Sequence, residues 1–127
     1  MNDNKHPTYG NGKICYIEMP SLDVNVSADF YEAVFGWEIR RRDDGSVAFN
    51  DGVGEVSGTW LTHLKPATEK GSMLISIMVE NIPATIDLIT RYGGNIISVD
   101  MQSKEKTAKF SDPAGNVFGL YQSSMGK

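Results

Sequence analysis

The chain has 127 residues, of which 40% are hydrophobic and 22% are charged, a composition typical of one compact globular domain. Its 12 Lys and Arg residues are outnumbered by 16 Asp and Glu residues, and the net charge of −4 argues against a nucleic-acid-binding protein, because such proteins carry clustered positive charge. No run approaches the ~18–20 apolar residues that a membrane-spanning helix requires, which argues against a membrane protein.

The first predicted strand follows residues 1–12, a polar segment that we expect to be a flexible tail without the apolar core of a signal sequence. Apolar side chains, among them Cys15 and Met19, alternate there with Tyr16 and Glu18, and a period of two predicts a strand with two different faces. We expect Cys15 to be a buried, unreactive thiol beneath a helix. As the single cysteine it cannot form an internal disulfide, which favours a reducing, cytoplasmic location.

A helix is predicted to begin near Asp23 or Asn25, either of which can cap free backbone N–H groups, and to end at Gly36. Three short strands are predicted after it, around Trp37–Arg42, Val47–Asn50 and Val56–Thr62. The three consecutive arginines Arg40, Arg41 and Arg42 precede two aspartates and a glycine. We interpret this run as a solvated hairpin with compensating charges and not as a phosphate site.

The second half repeats the same order of elements. A strand of alternating side chains runs from Met73 to Val79, and a helix is predicted from Asn81 and Pro83 to the glycines at 93 and 94. Three further strands are predicted around Asn95–Asp100, Ala108–Ser111 and Val117–Gln122. A tight turn joins the last two strands, because its proline fixes one φ and its glycine, Gly115, can adopt a positive φ.

An internal repeat relates the two halves. The residues Phe49, Asp51, Gly54, Val56 and Gly58 recur 61 positions later, and Trp60 recurs at the same offset as Tyr121. The sequence therefore predicts an α+β fold built from two βαβββ modules of roughly 55 residues. We place the modules at residues 13–65 and 72–123, within one compact domain.

Three stretches, taken in order, carry a family resemblance. They are Ile17–Asp23 leading into Phe30–Trp37, then Val79–Asn81, then Phe110–Asn116. On these stretches the chain resembles the vicinal oxygen chelate superfamily, which includes glyoxalase I, bleomycin-resistance proteins and extradiol dioxygenases, and within it the small glyoxalase-related branch. The resemblance implies two modules that pair into an eight-stranded, curled mixed sheet around a cleft, with the helices outside. It also implies a homodimer.

The metal-using members of that superfamily hold a divalent ion with His and Glu side chains from the first, fourth, fifth and eighth strands. The matching positions here are Tyr16, Gly58 (at or next to the fourth-strand position), Leu74 and Gly119. None is His or Glu, and the chain has only two histidines, His6 in the tail and His63 after the fourth strand. We therefore predict no metal and no other cofactor, and expect Zn, Ni or Fe only under the alternative of a substituted enzymatic site.

The alternation of side chains predicts which residues line the cleft. The candidate ligand-binding residues are Tyr16, Glu18, Gly58, Trp60, Leu74, Ser76, Gly119 and Tyr121. Aromatic side chains there could stack on a flat ligand or could equally fill a collapsed core. The two glycines could leave room for a ligand or could mark a bend in the strand. Glu18 is the one acid among them and the candidate catalytic residue, as a general base, provided that it is buried.

Three functions fit these observations. The first is a cytoplasmic protein that binds a small, partly apolar molecule in the cleft without the family's metal. The alternative is a glyoxalase-related lyase or isomerase, or a dioxygenase-type enzyme, whose substituted site uses Glu18, Tyr16 or an unrecognised metal. The third is an assembly subunit with an empty cleft. The missing metal ligands favour the first over the second, and the polar Ser76 and Glu18 disfavour the third, because an unused cleft tends to fill with apolar side chains.

Overall fold

The computed structural model describes residues 7–68 and 73–122 and divides the chain into two units, Met1–Leu64 and Lys65–Lys127. The elements of the first unit are β1 (Tyr16–Pro20), α1 (Val24–Phe35), β2 (Glu38–Arg41), β3 (Val47–Asn50) and β4 (Ser57–Leu61). Those of the second are β5 (Ile75–Val79), α2 (Ile82–Arg91), β6 (Asn95–Asp100), β7 (Thr107–Ser111) and β8 (Val117–Gln122). Neither helix is long and apolar enough to cross a membrane within the described ranges.

Each unit is one four-stranded mixed sheet with one helix. The strand orders are β1-β4-β3-β2 and β5-β8-β7-β6, so the two topologies are the same. In both sheets the first strand is an edge strand that pairs in parallel with the last, and the remaining pairs are antiparallel. The predicted α+β fold of two βαβββ modules is therefore confirmed, while their pairing around a cleft stays a prediction of the resemblance.

The helix ends follow from local chemistry. Asp23 caps α1, since its Oδ1 accepts hydrogen bonds from the backbone N–H groups of Asn25 and Val26 at 3.0 and 3.3 Å. Gly36 ends that helix with a φ of 70°, a left-handed conformation that glycine adopts without strain. Asn81 caps α2 in the same way, and its Oδ1 accepts a hydrogen bond from the N–H of Ala84 at 2.8 Å. These sequence predictions of the helix ends are confirmed.

Aromatic rings fill the core of the first unit between α1 and its sheet. Tyr31 of α1 stacks on Trp37 with a centroid distance of 4.6 Å, and Trp37 stacks on Phe49 at 4.7 Å. Trp60 completes the cluster, 4.7 Å from Phe49 and 5.9 Å from Tyr31. The helix-covered face of this sheet is therefore a packed aromatic core.

A buried polar turn closes the second unit. Asp112 is 2% exposed, and its Oδ1 accepts hydrogen bonds from the backbone N–H groups of Ala114 and Asn116, both at 2.9 Å. Asn116 is fully buried, and its Oδ1 accepts a hydrogen bond from the N–H of Ala67 at 2.9 Å. The carbonyl of Ala67 in turn accepts from the N–H of Val117. The segment that leads into the second unit is thus fastened to the β7–β8 turn.

The prediction for Cys15 is wrong, because its side chain is exposed. Cys15 precedes β1, which begins at Tyr16, and its carbonyl accepts a hydrogen bond from the N–H of Ser57. Along β1 burial rises toward the far end, where Ile17 is half-buried and Met19 is 2% exposed. Only that end of the strand therefore contributes to the core.

Candidate functional site

The face of the first sheet that α1 does not cover carries polar side chains in register. Glu18 of β1 lies opposite Thr59 of β4, Thr59 opposite Ala48 of β3, and Ala48 opposite Arg40 of β2. Residues directly opposite one another point to the same side of a sheet, so these side chains form a row across all four strands. Glu18 is exposed, while Thr59 and Arg40 are half-buried. We call this set the first row.

A neighbouring row on the same face is held by hydrogen bonds between side chains. The hydroxyl of Ser57 donates to Oδ1 of Asn50 at 2.8 Å, and the amide of Asn50 donates to Oε1 of Glu38 at 2.7 Å. Tyr16 lies at the end of this row, opposite Ser57, and is 51% exposed. This face thus combines fixed polar groups with an accessible aromatic ring.

The second sheet has the corresponding row on the face that α2 does not cover. Ser76 of β5 lies opposite Gly119 of β8, Gly119 opposite Lys109 of β7, and Lys109 opposite Ser98 of β6. Gly119 permits a close approach there, since a Cβ atom at this position would lie 2.5 Å from Oγ of Ser76. The exposed hydroxyl of Ser76 therefore lies over a strand that carries no side chain of its own at that point.

Apolar side chains accompany the polar row of the second sheet. Met78 and Leu74 of the β5 segment are 66% and 47% exposed, and Tyr121 of β8, opposite Met78, is half-buried. Phe118 and Leu120, the alternate residues of β8, are only 5% and 1% exposed and lie on its helix-covered side. The helix-free face of this sheet is therefore mixed, with apolar contact area beside Ser76 and Lys109.

The predicted orientation of Trp60 toward a cleft is wrong. Trp60 is 2% exposed and lies opposite the buried Met19, within the aromatic core under α1. Among the described residues its indole N–H has no hydrogen-bond partner, as expected of a ring surrounded by other rings. Its side chain therefore cannot contact a ligand without opening the core.

The prediction that Gly58 leaves room for a ligand is also wrong. A Cβ atom on Gly58 would overlap the carbonyl oxygen of Ile17 and the ring of Phe49. The space beside this glycine is therefore already filled by the core of the first unit. Gly58 is a packing residue, in contrast to Gly119.

Both errors have one cause, the length of the turn before the last strand of each module. The backbone N–H of Asp51 donates to the carbonyl of Val56, five residues later. The N–H of the equivalent Asp112 donates to the carbonyl of Asn116, four residues later, so the turn of the first module is one residue longer. A slip of one residue transfers every side chain of a strand to the opposite face. By register, Gly58 corresponds to Phe118, since each lies opposite the equivalent phenylalanine of the preceding strand. Trp60 accordingly corresponds to Leu120.

The residues at the metal-ligand positions do not fit a divalent cation. Tyr16, Leu74 and Gly119 supply no imidazole or carboxylate, and the corrected fourth-strand position is Thr59, whose hydroxyl donates to the carbonyl of Val47 at 2.7 Å. His63 is exposed, and His6 lies outside the described residues. Within the described ranges no three His, Cys, Asp or Glu side chains are grouped so that they could hold a metal ion.

The general-base hypothesis for Glu18 required burial, and the structure does not provide it. Glu18 is exposed at the edge of the first row, and no other residue of the described ranges bonds to its carboxylate. An exposed carboxylate can still accept hydrogen bonds from a bound molecule.

The comparisons with known proteins agree with the topology. Residues 17–121 match the family described as glyoxalase-like domain. A glyoxylase-like domain-containing protein of Didymella fabae is 27% identical over 94 residues, which cover 69% of this chain and 73% of that protein.

Two solved structures share the fold at low identity. A glyoxalase/bleomycin resistance protein/dioxygenase family enzyme of Burkholderia phytofirmans superposes with a TM-score of 0.71 at 15% identity, covering 87% of this chain and 98% of that one. The fosfomycin resistance protein FosX of Mesorhizobium loti superposes with a TM-score of 0.69 at 12% identity, covering 93% and 97%. The family match spans most of the sequence, and the chain therefore belongs to the glyoxalase-like domain family.

Proposed function

We propose that this protein binds a small, partly apolar molecule on the helix-free faces of its sheets, without the metal of its superfamily. The first row supports this most directly, since it places Glu18, Thr59 and Arg40 in register on a face opposite a packed aromatic core. Tyr16, Leu74, Ser76, Gly119 and Tyr121 complete the proposed ligand-binding set, and Gly58 and Trp60 are excluded from it. A cleft between the modules stays an expectation of the resemblance.

Metal content is the first test of this proposal. Because the positions of the usual ligands hold a phenol, an alkyl side chain, a hydroxyl and a glycine, protein purified without chelator is expected to contain only substoichiometric Zn, Ni and Fe. Treatment with EDTA is then expected to leave the melting temperature unchanged. Stoichiometric metal whose removal lowers the melting temperature would contradict the metal-free proposal and favour the enzymatic alternative.

A thermal-shift screen of small aromatic and dicarbonyl-derived compounds tests binding itself. A compound at 100 times its Kd adds about 2.7 kcal/mol to the free energy of unfolding, which raises the melting temperature of a domain of this size by about 10 °C. We expect the shift to shrink in Glu18→Gln and to persist in Glu32→Gln, an exposed substitution on α1. If the protein turns over one of these compounds and Glu18→Gln abolishes that turnover, the protein is an enzyme with a substituted site and not a binding protein.

We further propose that the protein is a cytoplasmic homodimer in which a second copy covers the edge strand β5. β5 exposes Ile75 and Met78 at 38% and 66%, and it is an edge strand of its sheet. Light scattering during gel filtration is expected to give twice the chain mass of 14.0 kDa. Met78→Lys should shift the mass toward one chain, and Val53→Lys, on a turn of the first unit, should not. A single-chain mass for the unmodified protein would contradict the dimer.

A further inference from the structure

The three consecutive arginines do not form one solvated cluster. Arg41 points to the helix side of β2, where it donates to Oδ1 of Asp29 at 2.9 Å and to Oδ1 of Asn25 at 3.3 Å. Arg42 is exposed at the following turn and donates to Oγ of Ser46 at 3.3 Å. Arg40 lies between them on the opposite face, in the first row. The interpretation of the run as a solvated hairpin therefore holds for Arg41 and Arg42 but not for Arg40.

The guanidinium of Arg40 has no partner among the described residues. Its neighbours on the chain donate to α1 and to the β2–β3 turn, yet no hydrogen bond or ion pair joins the side chain of Arg40 to residues 7–68 or 73–122, and only its backbone pairs with β3. Its side chain is nevertheless half-buried. Partial loss of hydration is unfavourable for a guanidinium that gains no acceptor in exchange. A bound anion would restore the lost interactions.

The carboxylates on the same face do not neutralise Arg40. Glu38, two residues earlier on β2, accepts a hydrogen bond from Asn50 at 2.7 Å and forms no ion pair with Arg40. Glu18 stands at the other end of the first row, three strand spacings or about 14 Å away between Cα atoms. Only the methyl group of Ala48 and the hydroxyl of Thr59 lie between them. The face therefore presents a guanidinium group that is not paired with a carboxylate of the same face.

We propose that Arg40 binds an oxyanion, a carboxylate or phosphoryl group, on the small molecule taken by the helix-free face. This names the ligand class and rests on the proposed function. The planar guanidinium matches such groups because two of its N–H donors can bind two oxygens at once. Glu18, at the far end of the row, then repels a second anion and favours a ligand that is anionic at one end only.

A titration of the full-length protein with sodium phosphate, and separately with sodium acetate, tests the oxyanion site. The signals observed are the backbone amides and the arginine Nε–Hε groups of ¹⁵N-labelled protein, at constant ionic strength set with sodium chloride. We expect the Arg40 Nε–Hε signal and the amides of Ala48 and Thr59 to shift with one common Kd. In Arg40→Gln that Kd should rise about tenfold, and in Arg40→Lys by less. In Arg42→Gln, the matched control, it should stay within about twofold.

The outcomes separate this proposal from the proposed function. Shifts that are equal in Arg40→Gln and the unmodified protein, or that centre on Arg42, overturn the oxyanion site. Binding of a neutral compound to the same face with equal affinity in Arg40→Gln keeps the proposed function and rejects the oxyanion. A response to phosphate alone or to acetate alone identifies which oxyanion Arg40 binds. The amide spectrum and melting temperature of Arg40→Gln show that the variant is folded.

Discussion

Gly58→Ala is expected to lower the free energy of unfolding by about 3 kcal/mol or more. The added Cβ would overlap a backbone oxygen, that of Ile17, and the ring of Phe49, which stacks between Trp37 and Trp60. A backbone atom of a paired strand and a ring inside a packed cluster cannot move aside independently. The change must therefore displace β1 or repack the core.

Gly119→Ala is the matched control, because it is the glycine on the helix-free face of the other sheet. There the added Cβ meets the hydroxyl of Ser76 at 2.5 Å and Leu74 at 3.4 Å. Ser76 is exposed and can rotate away, so we expect a loss of about 1 kcal/mol or less. Urea unfolding of both variants measures the difference. Equal losses would mean that Gly58 does not face the core and that the corrected strand register is wrong.

The second large effect is expected for Asp112→Ala, which should lower the free energy of unfolding by about 3 kcal/mol. The carboxylate is 2% exposed and accepts hydrogen bonds from two backbone N–H groups and, through Oδ2, from the side-chain amide of Asn116 at 2.9 Å. Without it these donors are buried in a turn that water reaches poorly. Because Asn116 also holds Ala67, the loss extends to the segment that enters the second unit.

Asp51→Ala provides the control in the equivalent turn of the first unit. Asp51 accepts hydrogen bonds from the N–H groups of Glu55 and Val56 at 2.7 and 3.1 Å, but it is half-buried, and the N–H groups it would leave can bind water. We expect a loss of about 1 kcal/mol. Urea unfolding under the same conditions compares Asp51→Ala with Asp112→Ala. Equal losses in the free energy of unfolding would show that burial of the carboxylate does not determine the loss.

Local patterns predicted the elements of this fold well. Alternating side chains located β1 and β8, and Asp23, Gly36 and Asn81 marked helix ends, because each of these signals acts within a few residues of where it stands. The internal repeat then gave the duplication of the βαβββ module. These features need no knowledge of distant contacts.

The candidate site was harder to predict, because the face of the sheet on which a side chain lies depends on the register between strands. Counting identities at one offset paired Trp60 with Tyr121, whereas the longer first turn pairs Trp60 with Leu120. The sequence carries no signal of this difference, since the offset of 61 holds from Phe49 to Gly58, and the extra residue is seen only in the hydrogen bonds of the two turns. Arg40 does not stand out in the sequence, because it lies within a run of three arginines. Successive residues of a strand lie on opposite faces, so Arg40 and Arg41 belong to different surfaces of the sheet.

The central claim is that a small molecule binds to the helix-free faces of the sheets. The most direct measurement is the map of backbone amide shifts on ¹⁵N-labelled protein titrated with a compound that raises its melting temperature. We predict that the largest shifts fall on the two rows, at Glu18, Thr59 and Arg40 and at Ser76 and Gly119. Shifts that centre instead on α1 and α2, or a compound that binds only after metal is added, would contradict it.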